Sequence, residues 1–300
     1  MEISVFDIIL YICHTQITYF MKAKYLLLAL LSIMMAQQSL NAQFGFSHEL
    51  GVIVGPVAFQ ADYGERGNQE TNIGNTGFGI GLVHYLNFSY QADCNCYSRY
   101  TYFNDHFKVR NEIDYHFTAL NNFGPESEDN DFAGLRLRNH TGTASVLEIG
   151  SQLEFYPLSI RDYAAGAFKF SPYVSLGAHF VSYNPSATSA LVPDGNIFGQ
   201  VLNPFTPDPT DTGPAIIEGF NVGDGEFDTG IDTRPGTTWA ITGSIGTRYK
   251  LGVLSDLNLD LRWHYYGSNW VDGLNPDPRP ANKVNDWIFW MNVGYIYYLD

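Results

Sequence analysis

Eight stretches of the chain alternate apolar and polar residues with a period of two, the repeat of a β-strand whose two faces meet different surroundings. The clearest is DLNLDLRWHYY from Asp256, where Leu257, Leu259, Leu261, Trp263 and Tyr265 alternate with Asn258, Asp260, Arg262, His264 and Tyr266. A second, HFKVRNEIDYHFT from His106, sets Phe107, Val109, Ile113, Tyr115 and Phe117 against Lys108, Arg110, Glu112, Asp114, His116 and Thr118. Few strands of water-soluble proteins carry six consecutive polar positions of mixed sign on one side. The remaining strands are expected near 46–59, with a break at Gly55-Pro56, and at 77–90, 145–156, 170–183, 238–251 and 287–299.

The spacing between strands carries a second signal. If the first strand runs outward, the connections on one side fall at 61–76, 119–144, 184–237 and 269–286, all long. On the other side they fall at 91–105, 157–168 and 252–255. An even strand count with long loops at one end and shorter turns at the other is the layout of an up-and-down barrel crossing a bacterial outer membrane. The connection at 91–105 is longer than that pattern requires.

An export signal precedes the strands. Met21 opens Met-Lys-Ala-Lys, an apolar run follows from Tyr25 to Ala36, and Gln37 to Ala42 ends on a small residue, so cleavage is expected after about Ala42. Residues 1–20 read as an extension upstream of the true start at Met21, with a longer leader as the alternative. No lipobox cysteine follows the apolar run. Removing residues 1–42 of 300 leaves 258, enough for one barrel and too few for a barrel plus a second large domain.

No mature segment has the roughly 18 consecutive apolar residues of a membrane helix. A closed barrel is then the way this chain crosses a bilayer, because every backbone polar group must be paired inside the sheet. The apolar faces turn outward to lipid and the charged faces inward to a narrow lumen, with aromatic residues near the strand ends as interfacial girdles: Tyr97, Tyr100, Tyr102 and Phe103, then Tyr156 and Tyr163, then Tyr295, Tyr297 and Tyr298. A net charge of −15, from 31 acidic and 16 basic residues, argues against nucleic acid as a partner. Cys94 and Cys96, in Cys-Asn-Cys, leave several readings open: inert or locally oxidised thiols, a strained disulfide, half a metal site, or an intermolecular partner.

On these features residues 43–300 resemble the small outer-membrane β-barrel proteins of the OmpA-transmembrane-domain, OmpX and OmpW type, most visibly in FSPYVSLGAHFVSY from Phe170 and WMNVGYIYYL from Trp290. The resemblance implies an eight-stranded antiparallel up-and-down transmembrane β-barrel in the bacterial outer membrane, inserted by the barrel-assembly machinery, with outer-membrane lipid and lipopolysaccharide as its surroundings. Members of that group commonly end in Phe; this chain keeps the alternation through Val293, Tyr295, Tyr297 and Leu299 but ends in Asp300.

An eight-stranded barrel is just wide enough inside for its own side chains. Lys108, Arg110, Glu112, Asp114, His116, Glu148, Glu154, Arg248, Lys250, Asp260 and Arg262 are therefore expected to meet one another as a lumenal network. Five of these are Lys or Arg and five are Asp or Glu, a balance that favours a closed polar plug over an open pore, since unpaired buried charge is costly. The expected role is structural or interactive, acting through acidic external loops toward an envelope partner. Alternatives are a narrow channel or small-ligand barrel, and third a lipid-modifying enzyme.

The 184–237 loop is acidic and rich in Pro and Gly; Asp224, Glu226, Asp228 and Asp232 are weak Ca²⁺ candidates without EF-hand spacing, and a solvated acidic loop is the plainer reading. No nucleophile elbow or zinc-protease signature occurs, and no cofactor is implied. The glycines of GFGIGL from Gly77 alternate instead of following a dinucleotide fingerprint, and simply leave room for bulky lumenal side chains. Two polar residues, His84 and Asn111, interrupt the lipid-facing wall. A symmetric hairpin places them side by side, their numbers summing to about 195. A bulge turning one inward, a position near the membrane interface, and a contact with a lipid headgroup or partner protein are the three readings.

Overall fold

The computed structural model describes residues 47–64, 68–89, 101–130, 132–190, 232–275 and 285–299. The signal segment, Cys94 and Cys96, and most of the 184–237 loop lie outside them. Eight strands form a closed antiparallel barrel in sequence order: β1 Ser47–Gln60, β2 Thr76–Asn87, β3 Phe107–Asn121, β4 His140–Phe155, β5 Phe170–Ser189, β6 Gly236–Lys250, β7 Ser255–Tyr266 and β8 Trp287–Tyr298. Pairing of β1 with β8 closes the sheet and leaves no edge. Short helices decorate the connections: α1 Gln69–Gly74, α2 Tyr102–His106, α3 Pro125–Glu128, α4 Phe132–Arg138 and α5 Ile160–Ala164. No helix among the described residues is long and apolar enough to cross a membrane.

The strands match the sequence periodicity to within a few residues, except that β4 starts earlier and β5 runs on to Ser189. This projecting ladder carries hydroxyls outward, Thr141 to Thr188 at 3.0 Å and Thr143 to Ser186 at 2.7 Å. Its outward face is wet rather than greasy, so apolar alternation could not mark it. The expected break at Gly55-Pro56 does not interrupt β1. It is confined to missing partners on β8, because proline lacks the N–H that the ladder needs. Gly55 itself is required by close approach, since a Cβ there would collide with the Met291 carbonyl oxygen.

The molecule is apolar outside and charged inside. Leu82, Ile113, Ile149, Leu176, Ile241, Leu261 and Val293 are among the large apolar residues exposed on the wall. Trp239, Trp263, Tyr265, Phe78 and Phe180 band it toward the long-loop end, and Phe170, Tyr295 and Tyr297 toward the other. A sheet exposing this much aromatic and aliphatic surface in a continuous band has hydrocarbon as its solvent. Tyr156, Tyr163 and Tyr298 correct the girdle expectation. Tyr156 and Tyr298 point inward, their hydroxyls donating to Glu154 at 2.5 Å and to Asp256, and Tyr163 is buried on α5.

The interior has two parts. Toward the long-loop end it is an apolar core containing Val57, Phe59, Leu120, Val146, Val181, Tyr266, Ile288 and Trp290. The loops close over it: Asn122 Nδ2 donates to the Leu137 and His140 carbonyls, Asn75 Nδ2 to the Tyr63 carbonyl, and the Tyr63 and His140 rings stack at 5.3 Å. Tyr63 stays a neutral phenol there, because burial and, secondarily, the Asp272 charge push its pKa well up. Below this cap lies the ionic part.

Candidate functional site

The lumenal network begins with the parity of β3. Lys108, Arg110, Glu112, Asp114, His116 and Thr118 all face inward because the strand is regular, and all six are buried. Arg110 lies within 3.2 Å of Glu112, 2.9 Å of Glu154 and 3.1 Å of Asp260. Arg262 meets Glu112 at 2.9 Å, Asp114 at 3.3 Å and Asp260 at 2.8 Å. Arg248 pairs with Glu49 and approaches Glu154 at 3.6 Å, its guanidinium lying 4.1 Å from the centre of the Tyr85 ring. Lys108 donates to Glu49 at 2.6 Å. Lys250 stands apart from the carboxylates, its ammonium 5.2 Å from the Tyr163 ring centre and 5.5 Å from that of Tyr298.

Glu148 is held differently. Its ion-pair partners among the described residues are imidazoles: His179 at 2.8 Å, His264 at 2.7 Å and His116 at 3.7 Å, with the Tyr266 hydroxyl donating at 2.8 Å. His179 spans two carboxylates, reaching Glu112 at 2.8 Å through its other nitrogen. The glycines of β2 make space for this packing: a Cβ on Gly81 would collide with Asp114 Oδ1, and one on Gly79 would strike His116 and Trp290.

Sequence reasoning missed Glu49 and Asp256, both buried in the lumen. With them, the described inward-facing strand residues hold seven carboxylates against five Lys and Arg, so the five-to-five balance does not hold. The lumen-facing residues of β1 are otherwise mostly apolar, as are its lipid-facing ones, so alternation gave no parity there. Asp256 sits one residue into β7, where a strand and a turn read alike.

On the outer wall His84 and Asn111 are direct partners in the β2–β3 register, with no bulge between them. Ser151 Oγ donates to Asn111 Oδ1 at 2.7 Å, Asn111 Nδ2 approaches His84 Nδ1 at 3.4 Å, and His84 Nε2 lies 3.0 Å from His48 Nδ1. The network assigns His84 the Nε2–H tautomer, donating to His48. This row crosses four strands within a few residues of the end bearing Ser47, the periplasmic end in such barrels. It borders a groove of about 400 Å³ lined by Leu50, Leu82, Ile113, Ile149 and Gly150. Ser151 and His48 escaped notice because each is an ordinary polar residue near a strand end.

Asp232 is the Ca²⁺ candidate that falls within the described residues. Its carboxylate is taken by Arg234, which donates from Nε at 2.9 Å and from Nη2 at 2.6 Å. Those hydrogen bonds lower its pKa. Asp224, Glu226 and Asp228 lie outside the described residues. Asp62, Asp272 and Asp286 cluster at the mouth, where Asp272 accepts from Asp62 N at 2.6 Å, Asp286 from Val271 N at 3.0 Å, and the Asp62 carboxylate from Asn269 Nδ2 at 3.2 Å.

No family model and no curated protein matches the chain. Among solved structures it is similar to the Yersinia pestis attachment invasion locus protein Ail, at 9% identity over 85% of this chain and 100% of that one, with a TM-score of 0.39. It is also similar to a major outer membrane protein of Thermus thermophilus, at 11% identity over 84% and 99% with a TM-score of 0.40. The outer membrane protein OprG of Pseudomonas aeruginosa aligns at 12% identity over 84% and 97%, with a TM-score of 0.35. By its own closed sheet and inverted surface, the chain is an eight-stranded transmembrane β-barrel.

Proposed function

We propose that the protein is a non-conducting outer-membrane barrel that works as a structural or interaction module, presenting its loops outside the cell. One observation carries this reading. Arg110, Arg248, Arg262, Glu148, Glu154, Asp256 and His264 are each 0% solvent-exposed. An aqueous channel would wet such groups, the most strongly hydrated side chains a protein has. Here they hydrate one another, and an apolar core covered by loops seals the lumen on one side. Refolded barrel in a planar bilayer is expected to show no steady conductance; discrete, concentration-dependent conductance steps would overturn the plugged reading.

With the lumen closed, partners must meet the loops or the wall. The acidic character of the loops suits shared divalent cations with lipopolysaccharide phosphates. The His48–His84–Asn111–Ser151 row offers a second contact, for a lipid headgroup or an envelope protein, because hydrogen-bonding groups facing hydrocarbon are costly unless something uses them. A hydrolase reading is not favoured by this row. A serine nucleophile needs a base within hydrogen-bond reach, and Ser151 donates to the Asn111 amide oxygen rather than to an imidazole nitrogen. Crosslinking in isolated outer membranes from the wall and from the loops tests the interaction role, and capture of nothing but bulk lipid from both would count against it.

A further inference from the structure

The ionic lumen leaves one corner whose polar atoms are not accounted for. Both ring nitrogens of His116 and the Nε2 of His264 are buried without a hydrogen-bond partner, on side chains 1% and 0% exposed. Each orphaned imidazole nitrogen in a dry interior carries a desolvation cost that proteins seldom leave unmet. The two rings stand edge to face at 5.4 Å, and Glu148 lies between them, 3.7 Å from His116 Nε2 and 2.7 Å from His264 Nδ1. One donor atom from each of the three residues falls within 4.8 Å of the others. The surrounding lumen also holds more carboxylates than Lys and Arg, and Glu148 is a buried lumenal carboxylate whose ion-pair partners among the described residues are all imidazoles.

We infer that His116, His264 and Glu148 form a binding site for one divalent transition-metal ion of the Zn²⁺ class. The donor set is two imidazoles and a carboxylate, which suits Zn²⁺ and its first-row neighbours rather than Ca²⁺ or Mg²⁺. A tetrahedral Zn²⁺ with bonds of about 2.0–2.1 Å spaces its ligand atoms roughly 3.3 Å apart. The His116 Nε2–Glu148 Oε1 separation of 3.7 Å is near that value, while the 2.7 Å His264 Nδ1–Glu148 Oε2 hydrogen bond would have to lengthen by roughly 0.6 Å to admit the ion. His179 Nδ1 also reaches Glu148 Oε2, the oxygen that His264 contacts, at 2.8 Å, and so fixes the carboxylate's orientation as a residue supporting a metal ligand does.

The three ligands come from β3, β4 and β7. β3 and β4 are neighbours, but β7 belongs to the opposite wall, so the ion would staple the two sides of the barrel together beneath the apolar cap. The positive charge it brings would also neutralise part of the lumen's acidic excess. The inference requires only the closed barrel, and is independent of what the loops bind.

The test uses untagged full-length mature barrel, refolded in chelator-treated buffer with or without Zn²⁺, then freed of excess metal. Expected is about one Zn²⁺ retained per barrel by elemental analysis. With free Zn²⁺ restored to a hundred-fold excess over the dissociation constant, the thermal midpoint should rise by about 5–10 °C. Co²⁺ in place of Zn²⁺ should give visible absorption bands of a four- or five-coordinate site. His116→Ala and His264→Gln should each abolish retention and the bands, while His84→Ala, which removes one of the two imidazoles of the outer row, should leave both unchanged. Heat-modifiable gel mobility shows which variants fold; should one lumenal variant fail to close, the other and the Co²⁺ spectrum of wild type still decide. Wild-type barrel that retains no stoichiometric metal, or metal that follows His84 instead of His116 and His264, would overturn the site.

Discussion

Arg262 on β7 and Glu112 on β3 meet at 2.9 Å across the lumen, 150 residues apart in the chain. Neither strand neighbours the other in the sheet, so this contact depends on closure rather than on any hairpin. Arg262→Met removes the cation shared by Glu112, Asp114 and Asp260 and leaves buried carboxylates short of charge. Breaking one side of such a buried arrangement costs about 3–5 kcal/mol. The variant should unfold at markedly lower urea concentration than wild type, read by heat-modifiable mobility. Adding Glu112→Gln should recover part of that loss, and a double variant no more stable than the single would contradict the pairing.

The wall and the seam make a second prediction. A methyl group at Gly55 has no room against the Met291 backbone carbonyl, which cannot swing aside as a side chain would. Gly55→Ala should therefore destabilise the barrel by about 1–3 kcal/mol through overpacking at the β1–β8 closure. Gly166→Ala is the contrasting case: nothing lies within 4 Å of its Cβ position, and its φ of 84° makes the cost one of backbone strain alone.

His84→Leu together with Asn111→Leu should fold, since both side chains face outward and apolar groups suit that surface better. The expected change is in association. A photo-crosslinker at Leu82, beside the groove, should lose its adducts in the double variant if the polar row recruits a partner. Identical adducts in both proteins would retire the row as a contact.

Asp232 and Arg234 supply a check at the opposite extreme of environment. Arg234 is 83% exposed, so the pair is screened by water and should contribute no more than about 0.5 kcal/mol despite its close geometry. Hydrogen bonds from Arg234 hold the Asp232 pKa below its ordinary value of 3.8. A depressed carboxylate stabilises the fold above its unfolded pKa and loses that contribution as pH falls through the folded value. Asp232→Asn should accordingly match wild type in urea resistance at pH 7 to within that small margin and show no difference at pH 2. A loss of several kcal/mol at neutral pH would mean that the carboxylate has a partner beyond Arg234.

Much of this architecture was readable from alternation alone. The eight strands, the order of long and short connections and the inward face of β3 all followed from period-two patterning, and the β2–β3 register places His84 opposite Asn111 as a symmetric hairpin requires. Patterning failed where both faces of a strand carry the same kind of residue. On β1 apolar side chains line the lumen beneath the cap and the lipid side alike, so Glu49 gave no sign of its direction. Tyrosine is ambiguous for a related reason, being at home at a membrane interface and equally as a hydrogen-bond donor to a buried carboxylate, as Tyr298 is to Asp256. The imidazole cluster escaped notice because His116, His179 and His264 lie on three different strands, and proximity across a barrel leaves no spacing in the sequence.

Because Glu49 on the first strand binds Arg248 on the sixth, and Arg110 on the third binds Asp260 on the seventh, a partly inserted chain cannot satisfy these charges. They stay hydrated until the final hairpin arrives. Expulsion of water from the shaft and zipping of the first strand onto the last are thus expected to coincide as a single late event, preceded by a wet, half-rolled sheet.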